Sequence, residues 1–429
     1  VKILIYGINY APEMTGIGKY TGEMAVWLAA RGHDVHVVCA PPYYPEWRVA
    51  PDFNAKRYTR EERDGVTVSR APLWVPARPK SLGRLLHLAS FALSSFPVML
   101  SLMAWRPDVV FCVAPSLLNA PTGWLVARLT GAHAWLHIQD FEVDAAFKLG
   151  ILQGSWLKRF ALLAERVLLT HFDSVSTLSS KMIARAIAKG VSPARLTYFP
   201  NWVDTDAIFP LAQPGTLKAA LGLPAEAIVI LYSGNMGGKQ GLDVLTDAIL
   251  QLGQCADLAF VLCGAGPARA GIEAACGSLP NCRIIDLRPA EELNELLNLA
   301  DIHVLPQRAD AADLVMPSKL TGMFASGRTV VAMARPGTEL YETVAPRGVI
   351  VPPGDATSLA EAIRRLADDA PMRAKLGRAG REYAVAMLAR DAELAAFESE
   401  LIATRAFDRK TATANEANEA AGLKVRSRH

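Results

Sequence analysis

The chain of 429 residues is 51% hydrophobic and carries 45 Lys/Arg against 42 Asp/Glu, a formal net charge of +3. That length exceeds one ordinary core and predicts two domains. Near-balanced charge, with no dense basic stripe interleaved with aromatics, excludes nucleic acid as the partner. The charge is uneven: residues 1–210 hold 22 Lys/Arg and 16 Asp/Glu, the remainder 23 and 26. A mildly basic first half suits an anionic membrane surface or a diphosphate ligand, and equally fits chance asymmetry. The six cysteines, Cys39, Cys112, Cys255, Cys263, Cys276 and Cys282, show no CxxC spacing and no histidine cluster. This excludes structural zinc and points to a reducing cytoplasm. The chain opens on a core strand without a basic n-region or cleavage site, so no secretory signal is expected.

Strand-like runs alternate with helical ones. The first, Lys2–Tyr6, leads into the turn Pro12-Glu13-Met14-Thr15-Gly16-Ile17-Gly18, and a helical run starts at Lys19. Gly16 and Gly18 let the backbone approach a phosphate or sugar ring, with Thr15 and Lys19 supplying a hydroxyl and a cation. The competing reading is a turn whose glycines serve packing alone. The spacing is not that of a dinucleotide fingerprint, and no acidic residue closes the next strand, Val35–Cys39.

After Val66–Arg70, the segment Leu85–Trp105 contains no Asp, Glu, Lys or Arg. Its length approaches a membrane span, although His87, four serines and Pro97 dilute it. Three readings stay open: a buried helix pair on the first sheet, a membrane-surface element, or a true span, which would interrupt the sheet.

Val109–Val113 and Ala134–Ile138 follow. The second of these contains His137 and runs into Gln139-Asp140-Phe141-Glu142-Val143-Asp144. Three carboxylates and a histidine at one strand end allow burial or mutual repulsion to tune a base or electrostatic partner. Asp140 is the candidate. Asp144 fits equally well an acid favoured by a helix dipole, and His137 an internal strand histidine. Ser174–Thr177 completes the first half. A linker without helical periodicity is expected over Asn201–Gly215, with Pro210 and Pro214 inside it.

The pattern then restarts with Ile228–Tyr232, Ala259–Cys263, Arg283–Asp286, Ile302–Leu305, Thr329–Ala332 and Gly348–Val351. Short apolar strands alternating with helices predict an α/β protein with two Rossmann-like domains, each a parallel sheet covered on both faces. Ligands of such sheets bind beyond the strand C-termini, at the switch point. There stand Ser233-Gly234-Asn235-Met236-Gly237-Gly238-Lys239-Gln240-Gly241, then Gly264 and Gly266. Lys239 is a point charge suited to a diphosphate. In Met316-Pro317-Ser318-Lys319-Leu320, Pro317 suits the first turn of a helix, where Ser318 and Lys319 would meet a phosphate. An ordinary capped helix is the alternative. A late helical run covers roughly Arg378 to Ala406, and a polar tail follows.

Several of these stretches together resemble the GT-B glycosyltransferases of family 4, and within it the WcaI-like transferases of colanic-acid-type exopolysaccharide assembly. They are Tyr6 through Met24, Arg31-Gly32-His33-Asp34-Val35, Ala40-Pro41-Pro42-Tyr43-Tyr44-Pro45, His137 through Asp144 and Phe199-Pro200-Asn201-Trp202. Ser233-Gly234-Asn235 with Lys239-Gln240-Gly241, Ala311-Ala312-Asp313 and Pro317-Ser318-Lys319-Leu320 complete the set.

The resemblance implies two domains facing across a cleft. Residues 1–205 would bind the acceptor and associate with membrane near 81–106. Residues 206–377 would bind the nucleotide sugar, 378–406 would cross back to the first domain, and 407–429 would be a disordered tail. It implies a retaining hexosyltransferase with no obligatory metal and no cofactor. The enzyme would move a sugar, GDP-fucose being the first donor expected, onto a polyprenyl-diphosphate-linked saccharide at the inner face of the plasma membrane. Asp140, Lys319 and Lys239 are the candidate catalytic residues. Gly16, Gly18, Ser233, Gly234, Asn235, Gln240, Gly264, Gly266, Arg288, Pro317, Ser318 and Leu320 would touch the donor. Thr15, Lys19, His137 and Glu142 would touch the acceptor.

Departures are visible. Leu314 and Gly322 stand where the family has a glutamate pair, and Asn235 and Gln240 where it has an arginine and a lysine. The alternatives to transfer are a nucleotide-sugar epimerase or hydrolase on the same fold, or a catalytically weak scaffold of a polysaccharide assembly complex.

Overall fold

A computed structural model describes residues 1–13, 16–77, 81–115, 117–141, 143, 155–212, 215–237, 240–308 and 317–404. The chain divides into two compact units. One comprises residues 1–177 and 185–199 and resumes at 394; the other comprises 178–184 and 200–393.

The first unit runs β1 (Lys2–Tyr6), α1 (Gly16–Ala30), β2 (Asp34–Cys39), β3 (Thr59–Arg63), β4 (Val66–Arg70), α2 (Ser81–Ser101) and β5 (Val109–Ala114). It continues with α3 (Ala120–Thr130), β6 (His133–Ile138), α4 (Ser155–His171), β7 (Ser174–Thr177) and β8 (Leu196–Tyr198); α5 (Ser180–Ala188), between β7 and β8, is divided between the units after residue 184. Its sheet has the order β3-β4-β2-β1-β5-β6-β7-β8 and is parallel except for the β3–β4 pair. Central strands such as Val109–Ala114 are buried along their whole length, as expected of a sheet covered on both faces. The sequence reading lacked β3. Its residues Thr-Arg-Glu-Glu-Arg form a charged, mostly exposed edge with no apolar alternation to betray a strand.

The second unit contains α6 (Leu217–Ala220), β9 (Ile228–Ser233), α7 (Leu242–Leu252), β10 (Leu258–Cys263), α8 (Arg269–Cys276), β11 (Cys282–Ile285), α9 (Leu293–Leu299) and β12 (Ile302–Leu305). Then come α10 (Lys319–Ala325), β13 (Thr329–Met333), α11 (Glu339–Val344), β14 (Val349–Val351), α12 (Ala356–Asp368) and α13 (Ala370–Met387). The order β11-β10-β9-β12-β13-β14 is parallel throughout. In both sheets the order reverses beside the first strand of the unit, β1 or β9.

Two expected boundaries move. The second unit takes over at residue 200 rather than 206, because Val203 and Ile208 are buried in its core. Backbone bonds also tie Val203 to the end of α13: Val203 N–H donates to Leu388 O at 2.8 Å and Arg390 N–H to Val203 O at 2.9 Å. The expected helix 378–406 is two helices, α13 and α14 (residues 390–404), parted at Leu388 and Ala389. From Leu394 the chain packs with the first unit. There Phe397 stacks on Phe199 with ring centroids 4.5 Å apart and edges onto Phe111 and Trp135. Glu398 accepts from Arg31 Nε at 3.0 Å. The tail from 405 lies outside the described residues.

Among the described residues one helical run, Leu82–Trp105, is long and apolar enough to cross a membrane by length and composition. It is one helix ending in a 3-10 turn, not a helix pair, and its inner face is built into the first sheet. His87, Phe91, Ser95 and Met99 are buried at every fourth position. Ser95 Oγ lies 2.6 Å from the Tyr6 hydroxyl on β1.

Candidate functional site

The second unit's site is built where its strand order reverses. Connections leave β9 toward β10 on one side, and β12 lies on the other, so the loops beyond these strands diverge and leave a crevice. Ser233 ends β9 in register with Cys263 at the end of β10. Gly234 turns away at φ 123° and donates its N–H to Cys263 O at 2.8 Å. Gly264 lies so close beneath it that a Cβ there would stand 2.1 Å from Gly234 O. At Gly266, φ 147°, a Cβ would stand 2.6 Å from Met236 O and 2.9 Å from Asn235 Oδ1. Met236 N–H donates to Ala265 O at 2.8 Å. The two turns are thus laced backbone to backbone, which only glycine permits at these positions.

Lys319, the first residue of α10, passes under this cradle. A Cβ on Gly234 would meet its Cε at 2.8 Å. The Lys319 ammonium donates to the Tyr232 hydroxyl at 2.6 Å and lies 4.1 Å from that ring's centroid. Tyr232 in turn donates to Asn235 O at 2.6 Å. Burial pulls the ammonium down from 10.5 to about 7, and burial pushes the Tyr232 phenol up. A lysine poised near neutrality beside a glycine cradle gains a full charge when an anion arrives, because the anion offsets its desolvation. Since α10 has seven residues, its dipole is a small addition to that charge.

Other expected donor residues distribute around this centre. Gln240 closes a turn with its N–H on Gly237 O at 3.1 Å, and Gly241, φ 62°, brings that turn against Gln307 and Arg308 beyond β12. Arg288 follows β11 and pairs with Glu292 at 2.7 Å. Pro317 and Ser318 precede Lys319, half-buried. Leu320 turns its side chain into the core among Met323, Phe324 and Leu305, and its N–H donates to Pro317 O at 3.1 Å. Among the described residues no three His, Cys, Asp or Glu side chains converge as a metal site.

In the first unit the turn after β1 carries Gly16 at φ 62° and starts α1 there, three residues before Lys19. Gly18 packs directly on Glu13, whose Cβ would lie 2.6 Å from a Cβ at 18. Glu13 is buried; one carboxylate oxygen accepts from the N–H groups of Tyr43 and Tyr44, both at 3.1 Å, and the other from Asn9 Nδ2 at 2.9 Å. Gly18 therefore serves this packing. Lys19 pairs with Glu23 at 3.4 Å, at the surface. Asp140 stands half-buried just past β6. His137, expected near an acceptor, belongs to the core instead. Its ring stacks on Phe111 at 5.7 Å, bonds Ser176 Oγ at 2.9 Å, and is pulled down to about 3 by burial. Thr15, Glu142, Asp144, Lys239 and Leu314 lie outside the described residues.

Two residues escaped the sequence reading. Tyr232 looks like any inward residue of an apolar strand. Glu13 stands inside the quoted turn but carries no spacing signal.

Residues 15–202 match the family model of the glycosyl transferase 4-like domain, and residues 227–369 that of glycosyl transferases group 1. The putative colanic acid biosynthesis glycosyl transferase WcaI of Escherichia coli K12 is 42% identical, covering 94% of this chain and 100% of its own length. D-inositol 3-phosphate glycosyltransferase 1 of Catenulispora acidiphila is 28% identical over 74% of this chain and 76% of its own. Among solved structures, sucrose-phosphate synthase from Thermosynechococcus elongatus superposes with a TM-score of 0.73 at 18% identity, covering 94% of this chain and 99% of that one. Anabaena HepE in complex with UDP and glucose superposes with a TM-score of 0.67 at 15% identity, covering 94% and 100%.

Proposed function

Because the chain belongs to the family 4 glycosyltransferases of GT-B fold, we propose that it transfers a sugar from a nucleoside diphosphate donor to a polyprenyl-diphosphate-linked saccharide, with retention of configuration. The observation that carries the donor half is Lys319, half-buried with a desolvated ammonium, hydrogen-bonded to Tyr232 and placed under the glycine cradle of Gly234, Gly264 and Gly266.

As the bond between anomeric carbon and diphosphate breaks, negative charge grows on the leaving oxygen. Lys319 and Ser318 stabilise it, and Lys239 adds a second cation. No obligatory divalent ion is needed in this scheme. The acceptor hydroxyl attacks from the same face and gives its proton to the departing phosphate, which retains configuration. Asp140 orients the acceptor or steadies the cationic transition state. The 42% identity to a putative colanic acid glycosyl transferase favours exopolysaccharide assembly, with GDP-fucose as the first donor to try. A lipid-linked acceptor favours work at the cytoplasmic face of the plasma membrane, with the chain peripherally bound.

Calorimetric titration of GDP, UDP, dTDP and ADP in EDTA tests this, with Lys319→Ala as control. One nucleotide should bind, and the variant should lose both that binding and orders of magnitude of turnover. Absence of binding by every nucleotide would replace the transferase with a scaffold; an unimpaired variant would remove Lys319 from the chemistry.

A further inference from the structure

In the first sheet the connections β4→β5, β5→β6 and β6→β7 all step in the same direction. Right-handed crossover therefore lays α2, α3 and α4 side by side on one face. α3 packs against both α2 and α4. The outer side of this layer is apolar. On α4, Trp156, Phe160, Leu163 and Val167 are 77, 61, 59 and 48% exposed, at helical spacings of four, three and four. The rings of Trp156 and Phe160 stack at 6.1 Å, 17° from parallel. Leu129 on α3 and Leu82, Leu86, Leu93, Phe96 and Leu100 on α2 are exposed too. So long a run of exposed apolar side chains is rare on a monomer and marks an interaction surface.

The charges say what covers it. Lys158, Arg159 and Arg166 are exposed on α4, and Arg128 on α3. Among the described residues of the three helices the one carboxylate, Glu165, is buried and paired with Lys189. Tryptophan and phenylalanine beside exposed cations, with no exposed acid, suit lipid headgroups of negative charge.

We propose that the α2–α3–α4 face docks on an anionic phospholipid surface, with Trp156 and Phe160 entering the interface and Arg159 and Arg166, which flank the stripe, meeting the headgroups. This names the chemistry of the membrane in the reading above and rests on that reading for its site of action. Sequence inspection singled out only the α2 segment. The α4 stripe carries the greater exposure and the cations.

The test is co-flotation of the full chain with phosphatidylcholine vesicles, with and without phosphatidylglycerol. Wild type should float at least about tenfold better with the anionic vesicles and be released by salt. Trp156→Ser/Phe160→Ser and Arg159→Glu/Arg166→Glu should each abolish flotation, and their exposure protects the fold. Nucleotide calorimetry on the same samples separates the two claims. A chain that binds nucleotide but ignores anionic vesicles overturns the docking face alone. Equal flotation with neutral vesicles overturns the headgroup assignment, and unchanged variants overturn the stripe. If sedimentation shows a wild-type dimer that the serine variants dissociate, the face belongs to a second copy and the proposal falls.

Discussion

The ammonium of Lys319 stands 2.6 Å from the hydroxyl of Tyr232, which itself stands 2.6 Å from the carbonyl of Asn235. The phenol thus fixes the lysine against the turn that follows β9, and its ring lies beneath the charge at 4.1 Å. Tyr232→Phe keeps the ring and removes the hydroxyl. A hydrogen bond to a charged group contributes about 1.5–3 kcal/mol, so nucleoside diphosphate affinity should fall about tenfold or more. Nucleoside monophosphate affinity should hardly change, since the lysine is assigned to the outer phosphate. Calorimetry with both ligands checks this; equal loss for both would mean general damage to the turn.

Lys319 also predicts two opposite pH dependences. Its folded value, about 7, lies below the ordinary 10.5, so the unfolded chain binds the extra proton between those limits. Wild-type stability should therefore rise with pH through that window, and below it the desolvation cost is present in full. Lys319→Met should raise the melting temperature at pH 6 and lose that advantage toward pH 10. Ligand affinity should run the other way. Above the second phosphate ionisation near ~6, wild-type affinity for diphosphate should drop as the ammonium is lost, and Lys319→Met should bind weakly at every pH. Thermal melts and calorimetry at matched ionic strength read both slopes; a flat wild-type profile in either would contradict the buried ammonium.

Gly264→Ala places a methyl carbon where the gap to Gly234 O is 2.1 Å. The backbone must open to admit it, at a cost in the upper range for single substitutions, about 3 kcal/mol or more. The same opening would spread the cradle over Lys319. Chemical denaturation should show the loss in stability, and donor binding should vanish at temperatures where the variant is still folded. Gly271→Ala, inside α8 with nothing within 4 Å, is the control: it should gain about 0.5–1 kcal/mol of stability and leave donor binding unchanged.

Glu13→Ala leaves the N–H groups of Tyr43 and Tyr44 and the amide of Asn9 without their acceptor. Each buried orphan costs about 1–3 kcal/mol. The turn bearing Gly16 and Gly18 rests on this carboxylate, so turnover should fall with it, while nucleotide affinity in the second unit stays at the wild-type level. Denaturation and calorimetry on one preparation separate these effects. Unchanged stability would show that the three donors find other partners.

Much of the architecture was readable from local pattern. Strands such as Lys2–Tyr6 and Ile302–Leu305 are found where apolar runs end in turn residues, because a strand buried on both faces needs such a run. Strand β3 was not readable, since an exposed edge needs no apolar residue. The Leu85–Trp105 segment was ambiguous for a related reason. Its composition is set by two surfaces: an inner face on Tyr6 and β1, and an outer one open to a partner.

The sequence by itself determined two parallel α/β units, the glycine turns at their switch points, and Lys319 beside one of them. Short-range spacing encodes these, and a glycine or lysine at a strand end carries its meaning locally. Only the tertiary structure decided which way each side chain points. Leu320 and His137, neighbours of candidate residues, face the core. Tyr232, hidden in an apolar strand, faces Lys319 from 87 positions away. Glu13 gathers the N–H groups of Tyr43 and Tyr44, 30 and 31 residues on. The exposed stripe of α4 exists because its neighbours leave that side uncovered. Such relationships depend on contacts between segments far apart in the chain, and no local periodicity records them.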